Sequence, residues 1–186
     1  MTHRSLLDEL LALAPAHGEA DWFRHNARAF LQTCELFGAY ASQHHDLLVQ
    51  RFIEQFQGPD RPHMERALGR ARPHLQTVRR ILAQNKLPED LSYMVLVESA
   101  FDSAQASTAG AAGYWQFTAP TARAYGLKVQ EGVDERLDLR KSTGAACRYM
   151  RDLILDFGAG SSVMLALAAY NLGPQRVKQA IRKVTD

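Results

Sequence analysis

The feature that most limits what this chain can fold into is its period. Apolar residues recur every three or four positions along nearly the whole length and almost nowhere alternate one by one. Such a pattern calls for helices that each bury one stripe, and it leaves little material for a sheet. The expected fold class is therefore all-α, with a small β-hairpin admitted only in a glycine-rich loop. A short helix is expected over about 4–14, ended by Pro15, and a long one from about Asp21 to Gln57, ended by Gly58 and Pro59. In the long one Phe23, Ala27, Phe30, Leu31, Cys34, Phe37 and Tyr40 form a stripe meant to be buried. The basic segment "MERALGRARPHLQTVRRILAQNK" is helical too. Pro73 kinks or divides it, because proline lacks an amide hydrogen and clashes with the preceding turn.

The second half is better punctuated. "LPEDLSYMVLVESA" opens with Pro88 in a first-turn position and with Glu89 and Asp90 beside the positive helix end. "FDSAQASTAGAAGYWQF" holds too many small residues for a helix and reads as a structured loop. "APTARAYG" is a short helix closed by Gly126, and "DLRKSTGAACRYMRDLILDFG" a long one closed by Gly158. "SSVMLALAAYNLG" is a nearly all-apolar helix capped by Ser161 or Ser162 with Gly173 behind it, and Pro174 starts the last helix. At 186 residues the chain suits one good-sized domain, or a compact domain with a helical extension.

Several function classes fall away at this stage. A net charge of +2 gives no argument for nucleic acid or an anionic membrane. No apolar run approaches the roughly 20 residues that span a bilayer. Asp8 and Glu9 break the first hydrophobic stretch, which makes it a poor secretory signal and a better amphipathic helix. The ending "IRKVTD", still inside a helical pattern, favours a module of a longer chain. Cys34 and Cys147 are too few for a disulfide framework and read as buried thiols. All seven histidines lie in the first 75 residues without metal-ligand spacing, and His44 and His45 point to different helix faces. Phosphate-cradling loops and Cys-x-x-Cys pairs are absent, so the sequence points away from a metal or nucleotide enzyme.

One acid stands out. Glu98 closes the apolar run "LSYMVLV" and on a regular helix shares a face with Leu91, Met94 and Val95. Tyr93, Leu96, Val97 and Ala100 cover much of the remainder, which marks a core helix. An ionised carboxylate is disfavoured there, so its pKa should rise and its proton be available for donation. The competing reading is a structural ion pair with Arg123 or Arg136. Two neighbours bear on the choice. In "GAAGYWQF", Tyr114, Trp115 and Phe117 surround Gln116; flat rings with an amide between them suit sugar rings, or else form a hydrophobic loop on the core. In "ALAAYN", the Tyr170 hydroxyl and Asn171 amide either reach a buried carboxyl or are plain core and helix-end residues.

Taken in order, "ESAF", "STAGAAGYWQF" and "ALAAYN" resemble the lytic transglycosylase (SLT) domain of bacterial murein-degrading enzymes, related in fold to goose-type lysozyme. The likeness is stronger to the D-type membrane-bound lytic murein transglycosylases and runs from about Met64 to Val184. It adds "YGL", "VDERLD" and "KSTGAACRYMRDL" to the ordered set. Each motif is weak alone; their order is specific. The first 60 residues carry no such likeness. The implied organisation is an N-terminal helical extension over 1–60 and a lysozyme-like catalytic domain over 61–186.

Position by position, the resemblance puts Glu98 on the single catalytic acid and Ser99 on the serine that follows it. Ser107 falls on a serine lining the glycan groove, and Gly113 and Gln116 on the Gly-Leu-Met/Trp-Gln motif, with Tyr114 and Phe117 as neighbouring groove residues. Tyr170 and Asn171 fall on the Ala-Tyr-Asn motif. Tyr114 departs from the usual leucine, Thr118 stands at a methionine position with the proline moved to Pro120, and "GAGSSVM" lengthens a connection. The first two touch substrate fit; none removes the acid.

The implied chemistry needs no cofactor and no metal. Glu98 protonates the bond between N-acetylmuramic acid and N-acetylglucosamine, assisted by the substrate's acetamido group. The resulting carboxylate then takes the proton of the 6-hydroxyl as a 1,6-anhydro ring closes. Asp102, Asp134, Glu135 and Asp138, the candidates for a second carboxylate, read as surface or capping residues. Peptidoglycan strands would be the partner and the periplasm or envelope the location, inferred from substrate. The N-terminal helices would face the rest of a larger protein or an envelope partner. A hydrolytic muramidase and an inactive glycan-binding or assembly module are the alternatives.

Overall fold

The computed structural model describes residues 53–157 and 163–185. The helices expected at 4–14 and over most of 21–57 lie outside the described residues, as do Ser161 and Ser162; residues 53–57 are helical. The described residues fall into two compact units: 58–149, and 53–57 together with 150–157 and 163–185.

In the first unit the basic segment is divided at Pro73, as proline chemistry requires. α1 runs Arg61–Ala71 and α2 Leu75–Gln84. A 3-10 turn, Glu89–Ser92, follows Pro88 and passes directly into α3, Tyr93–Ser99. After the glycine-rich loop comes α4, Ala119–Ala124, whose first turn is capped by the Thr118 hydroxyl accepting from the Thr121 amide. Two short antiparallel strands, β1 (Val129–Gln130) and β2 (Val133–Asp134), pair Val129 with Asp134 and Gln130 with Val133. The small β element thus falls downstream of the glycine-rich loop. That loop carries only two isolated bridges, Ala106 with Ala112 and Ala112 with Phe117. A second 3-10 turn, Glu135–Leu137, leads into α5, Leu139–Phe157, whose residues through Tyr149 belong to this unit and where Asp138 accepts from the Lys141 amide as the N-terminal cap.

The core of this unit is the buried stripe of each helix. Val78 and Leu82 of α2, Val95 of α3, Ala122 of α4, and Ala145, Ala146 and Cys147 of α5 are all closed to solvent. Small residues on α5 let neighbours approach closely. In the second unit, α6 (Val163–Leu172) and α7 (Pro174–Thr185) contact each other, with Ala166, Ala169, Val177 and Ala180 buried. Lys178 of α7 bonds Asp156 at 2.8 Å and stands over the Phe157 ring. Among the described residues no helix is long and apolar enough to cross a membrane.

Candidate active site

α3 is only seven residues long, and the run before it is a 3-10 turn. The stretch from Leu91 to Glu98 is therefore not one continuous α-helix. Nor is α3 core all round: Val95 and Ser99 are buried, while Tyr93 and Val97 are 45% and 39% exposed. Tyr93 instead engages Arg79, accepting a hydrogen bond at 2.9 Å with the guanidinium 5.5 Å from its ring centre.

Glu98 lies between these two sides. It retains some access to solvent, yet protein crowds its carboxyl and pushes the pKa up to about 8 from an ordinary 4.5. Among the described residues Glu98 makes no hydrogen bond and no ion pair. Both arginines that might have paired with it are engaged elsewhere. Arg123 donates twice to the Val129 carbonyl, at 3.0 and 2.8 Å, and Arg136 is bound to Asp134. Burial without a partner is therefore the whole cause of the shift.

The helix stops directly behind the acid. Ala100 and Phe101 both take left-handed backbone angles, φ 52° and 57°, and the Phe101 amide reaches back to the Val95 carbonyl. Residues with a side chain enter this region at a cost of about 1–2 kcal/mol each, so neighbours must hold the turn in place. One such neighbour is Arg70 of α1, whose Nε donates to the Ala100 carbonyl at 2.9 Å. Another is Ser99, whose buried hydroxyl lies 3.2 Å from the Val95 carbonyl and 2.9 Å from that of Tyr114. This bond fastens the glycine-rich loop to the last turn of the helix that carries Glu98.

The loop has its own internal frame. Gln116 stands at φ 48°, and its amide nitrogen donates to the carbonyls of Gly113 (2.9 Å) and Gln105 (3.1 Å). Gly113, at φ +78°, is pressed against the backbone of Arg136: a Cβ there would lie 2.1 Å from the Arg136 carbonyl oxygen. Only glycine fits. Trp115 is 2% exposed and donates from Nε1 to the Thr143 hydroxyl at 3.0 Å.

Each expected site residue has a definite setting. Glu98, Tyr114 and Gln116 are half-buried, and Ser107 is exposed with its hydroxyl oxygen accepting from the Ala111 amide at 3.0 Å. Ser99, Gly113 and Phe117 are buried. Their polar atoms are met by the loop or, in Phe117, the ring is core. The same holds for Trp115, so of the three aromatic residues only Tyr114 keeps an open side, with its ring against His74 at 5.8 Å. Tyr170 and Asn171 stand on α6 in the second unit, both half-buried. Asn171 donates to the Leu167 carbonyl at 3.1 Å, and its Oδ1 is buried without a hydrogen-bond partner.

The other acids near the loop are all occupied. Asp102 accepts from the Ala104 amide, Asp138 caps α5, and Asp134 binds Arg136 at 2.6 Å. Glu135 binds Lys141 at 2.7 Å and accepts from the Lys128 amide at 2.7 Å. These partners hold Asp134 and Glu135 below the ordinary carboxylate range, the side-chain hydrogen bond from Arg136 or Lys141 being the largest cause in each. Among the described residues no three His, Cys, Asp or Glu side chains gather where they could hold a metal ion. What the sequence reading missed is the bond of Arg70 to Ala100 and those of Arg136 to Gly110 and Phe117. The carbonyls in these bonds lie far along the chain, which no periodicity reveals.

Glu98, at the end of α3, and the loop fastened to its helix both fall within the part of the chain that matches a known family. Residues 77–186 match the family model described as Transglycosylase SLT domain, and the chain belongs to that family. Over 113 residues, 61% of the chain, it is 39% identical to the Membrane-bound lytic murein transglycosylase D of Escherichia coli (strain K12). The same figures hold for the protein of that name from Escherichia coli O6:H1. The match spans 25% of that relative's length. A protein of Alteromonas sp. (strain M-1) named for tributyltin chloride resistance is 34% identical over 117 residues, 63% of the chain and 56% of its own length. Residues 1–78 match a second model, Monodechloroaminopyrrolnitrin synthase PrnB.

Proposed function

We propose that this chain is a peptidoglycan lytic transglycosylase that cleaves the β-1,4 bond between N-acetylmuramic acid and N-acetylglucosamine without water. The observation that carries the reading is the contrast among acids. Glu98 alone in its neighbourhood has neither charge partner nor donor, while Asp102, Asp134, Glu135 and Asp138 are each tied into turns, caps or ion pairs. A two-carboxylate glycosidase needs a second acid flanking the scissile bond. A one-acid route does not.

In that route Glu98, with a pKa of about 8, is mostly protonated at neutral pH and gives its proton to the glycosidic oxygen. The substrate's own acetamido group shields the positive charge that develops at the sugar carbon. The carboxylate left behind then removes the proton of the 6-hydroxyl, whose oxygen closes the 1,6-anhydro ring. A pKa close to working pH serves both halves, since neither proton transfer is far uphill. Gln116 and Tyr114, and Ser107 at the exposed end of the loop, are the proposed glycan contacts. Tyr170 and Asn171 enter the reading through the sequence pattern alone. No cofactor is required.

The proposed catalytic domain is 61–186 with an extension over 1–60. The bond from Arg70 in α1 to Ala100 supports counting α1 with the catalytic part. Peptidoglycan as substrate gives the periplasm or cell envelope as location, with residues 1–60 toward the rest of a larger protein or an envelope partner. The test is the loss of turbidity of purified sacculi. Glu98→Gln should slow it roughly 10²–10⁴-fold, the usual contribution of a general acid. Mass spectrometry of the digest should find anhydro-muropeptide ends. Reducing ends would mean a hydrolytic muramidase, and a wild-type chain without activity would mean a binding module.

A further inference from the structure

Arg136 is a buried cation whose guanidinium joins two parts of the first unit. One edge, Nε and Nη2, donates to the Asp134 carboxylate at 2.9 and 2.6 Å. The remaining nitrogen, Nη1, donates to the carbonyls of Gly110 (2.9 Å) and Phe117 (3.0 Å). Those carbonyls stand at the two ends of the segment that holds Tyr114 and Gln116. Between them, Gly113 rests on the Arg136 backbone so closely that no side chain fits. One residue therefore touches the loop at its start, middle and end.

We propose that the Asp134–Arg136 pair is a positioning device for the glycan-contact loop: it fixes residues 110–117 in the shape that sets Gln116 and Tyr114 beside the helix end of Glu98. The reading rests on the function proposed above for that loop. Three features favour positioning over simple stabilisation. The arginine meets loop carbonyls and not a helix, so its removal frees a loop. Asp134 is oriented by the 3-10 turn it caps, accepting from the Arg136 amide at 3.1 Å, so the fork is aimed before it meets the loop. The loop is in turn fastened to Glu98's helix through Ser99. A lysine would keep the charge but could not span a carboxylate and two carbonyls at once, because it lacks the planar fork.

The test compares wild type, Arg136→Lys and Asp134→Asn by amide hydrogen exchange and by turnover of sacculi. In Arg136→Lys the amides of residues 110–117 should exchange at least about tenfold faster, the factor expected for loss of one charge-assisted hydrogen bond, while α2 and α5 keep their protection. Turnover should fall about tenfold or more, chiefly through KM; Asp134→Asn should shift both in the same direction by less. Unchanged exchange in the loop overturns the proposal. So does a uniform rise across α2 and α5, which would make Arg136 a general stabiliser, and so does a loosened loop with unaltered turnover. Exchange is read without murein, so the clamp can fail while Glu98→Gln still abolishes activity, and the reverse.

Discussion

Two acidic regions of the first unit, built from the same kind of side chain, reach opposite electrostatic states. At the end of α3, Glu98 is crowded by protein and has no partner, and its carboxyl is held as the neutral acid up to about pH 8. At the end of β2 and the start of the turn after it, Asp134 and Glu135 each meet a cation and a backbone amide, and their carboxyls are held ionised below the usual range. Burial alone does not decide the direction; the presence of a donor does. The difference separates an acid available for proton transfer from acids that organise a loop.

Forcing the two regions apart should have the largest effect. Gly113 is where the loop beside Glu98 rests on the Arg136 backbone, and a Cβ would collide with it at 2.1 Å. Gly113→Ala is expected to cost about 3–5 kcal/mol, the range for overpacking combined with a disallowed backbone angle, measured by urea denaturation.

Removing the unpaired acid sharpens the comparison through pH. Glu98 has a folded pKa above its unfolded value, so between about pH 4.5 and 8 the folded state binds the extra proton. Wild-type stability should fall as pH rises through that window and level off above it. Glu98→Gln should be flat there and gain on the wild type by roughly 2–4 kcal/mol at the alkaline end, the full shift being reduced because Glu98 retains some solvent access. Asp134 has the opposite sign: its folded pKa lies below 3.8, so its contribution is present above that value and lost as pH falls through the folded one. Asp134→Asn should cost about 1–2 kcal/mol near neutrality and nothing in strong acid. A smaller effect comes from the tie between helix and loop. Ser99→Ala leaves the part-buried Tyr114 carbonyl short of a donor and should cost about 1 kcal/mol in thermal denaturation.

The helices were legible because their signals are local. Pro73 divides α1 from α2, Pro88 and Pro174 start their elements, and Gly126 and Gly173 take the positive φ that ends α4 and α6. Glu98 was legible as an acid out of place in an apolar run. Its exact surroundings were not, because an apolar run does not show which of its residues stay open, and Tyr93 and Val97 are exposed. The glycine-rich loop was legible as a loop, but Trp115 and Phe117 were ambiguous between groove and core. What sends them inward is a partner on a distant helix, Thr143, and the Arg136 bond to the Phe117 carbonyl. The Arg70 and Arg136 bonds to backbone carbonyls span 30, 26 and 19 positions, and side-chain patterns carry no trace of such pairings.

The central claim is that Glu98 is an acid kept protonated by burial without a partner. Its most direct test is a pH titration of the isotope-labelled Glu98 carboxyl resonance in the intact chain, assigned by its absence in Glu98→Gln. A midpoint near pH 8 is the predicted result. A midpoint near the ordinary 4.5 would mean a solvated or paired carboxylate and would contradict the account.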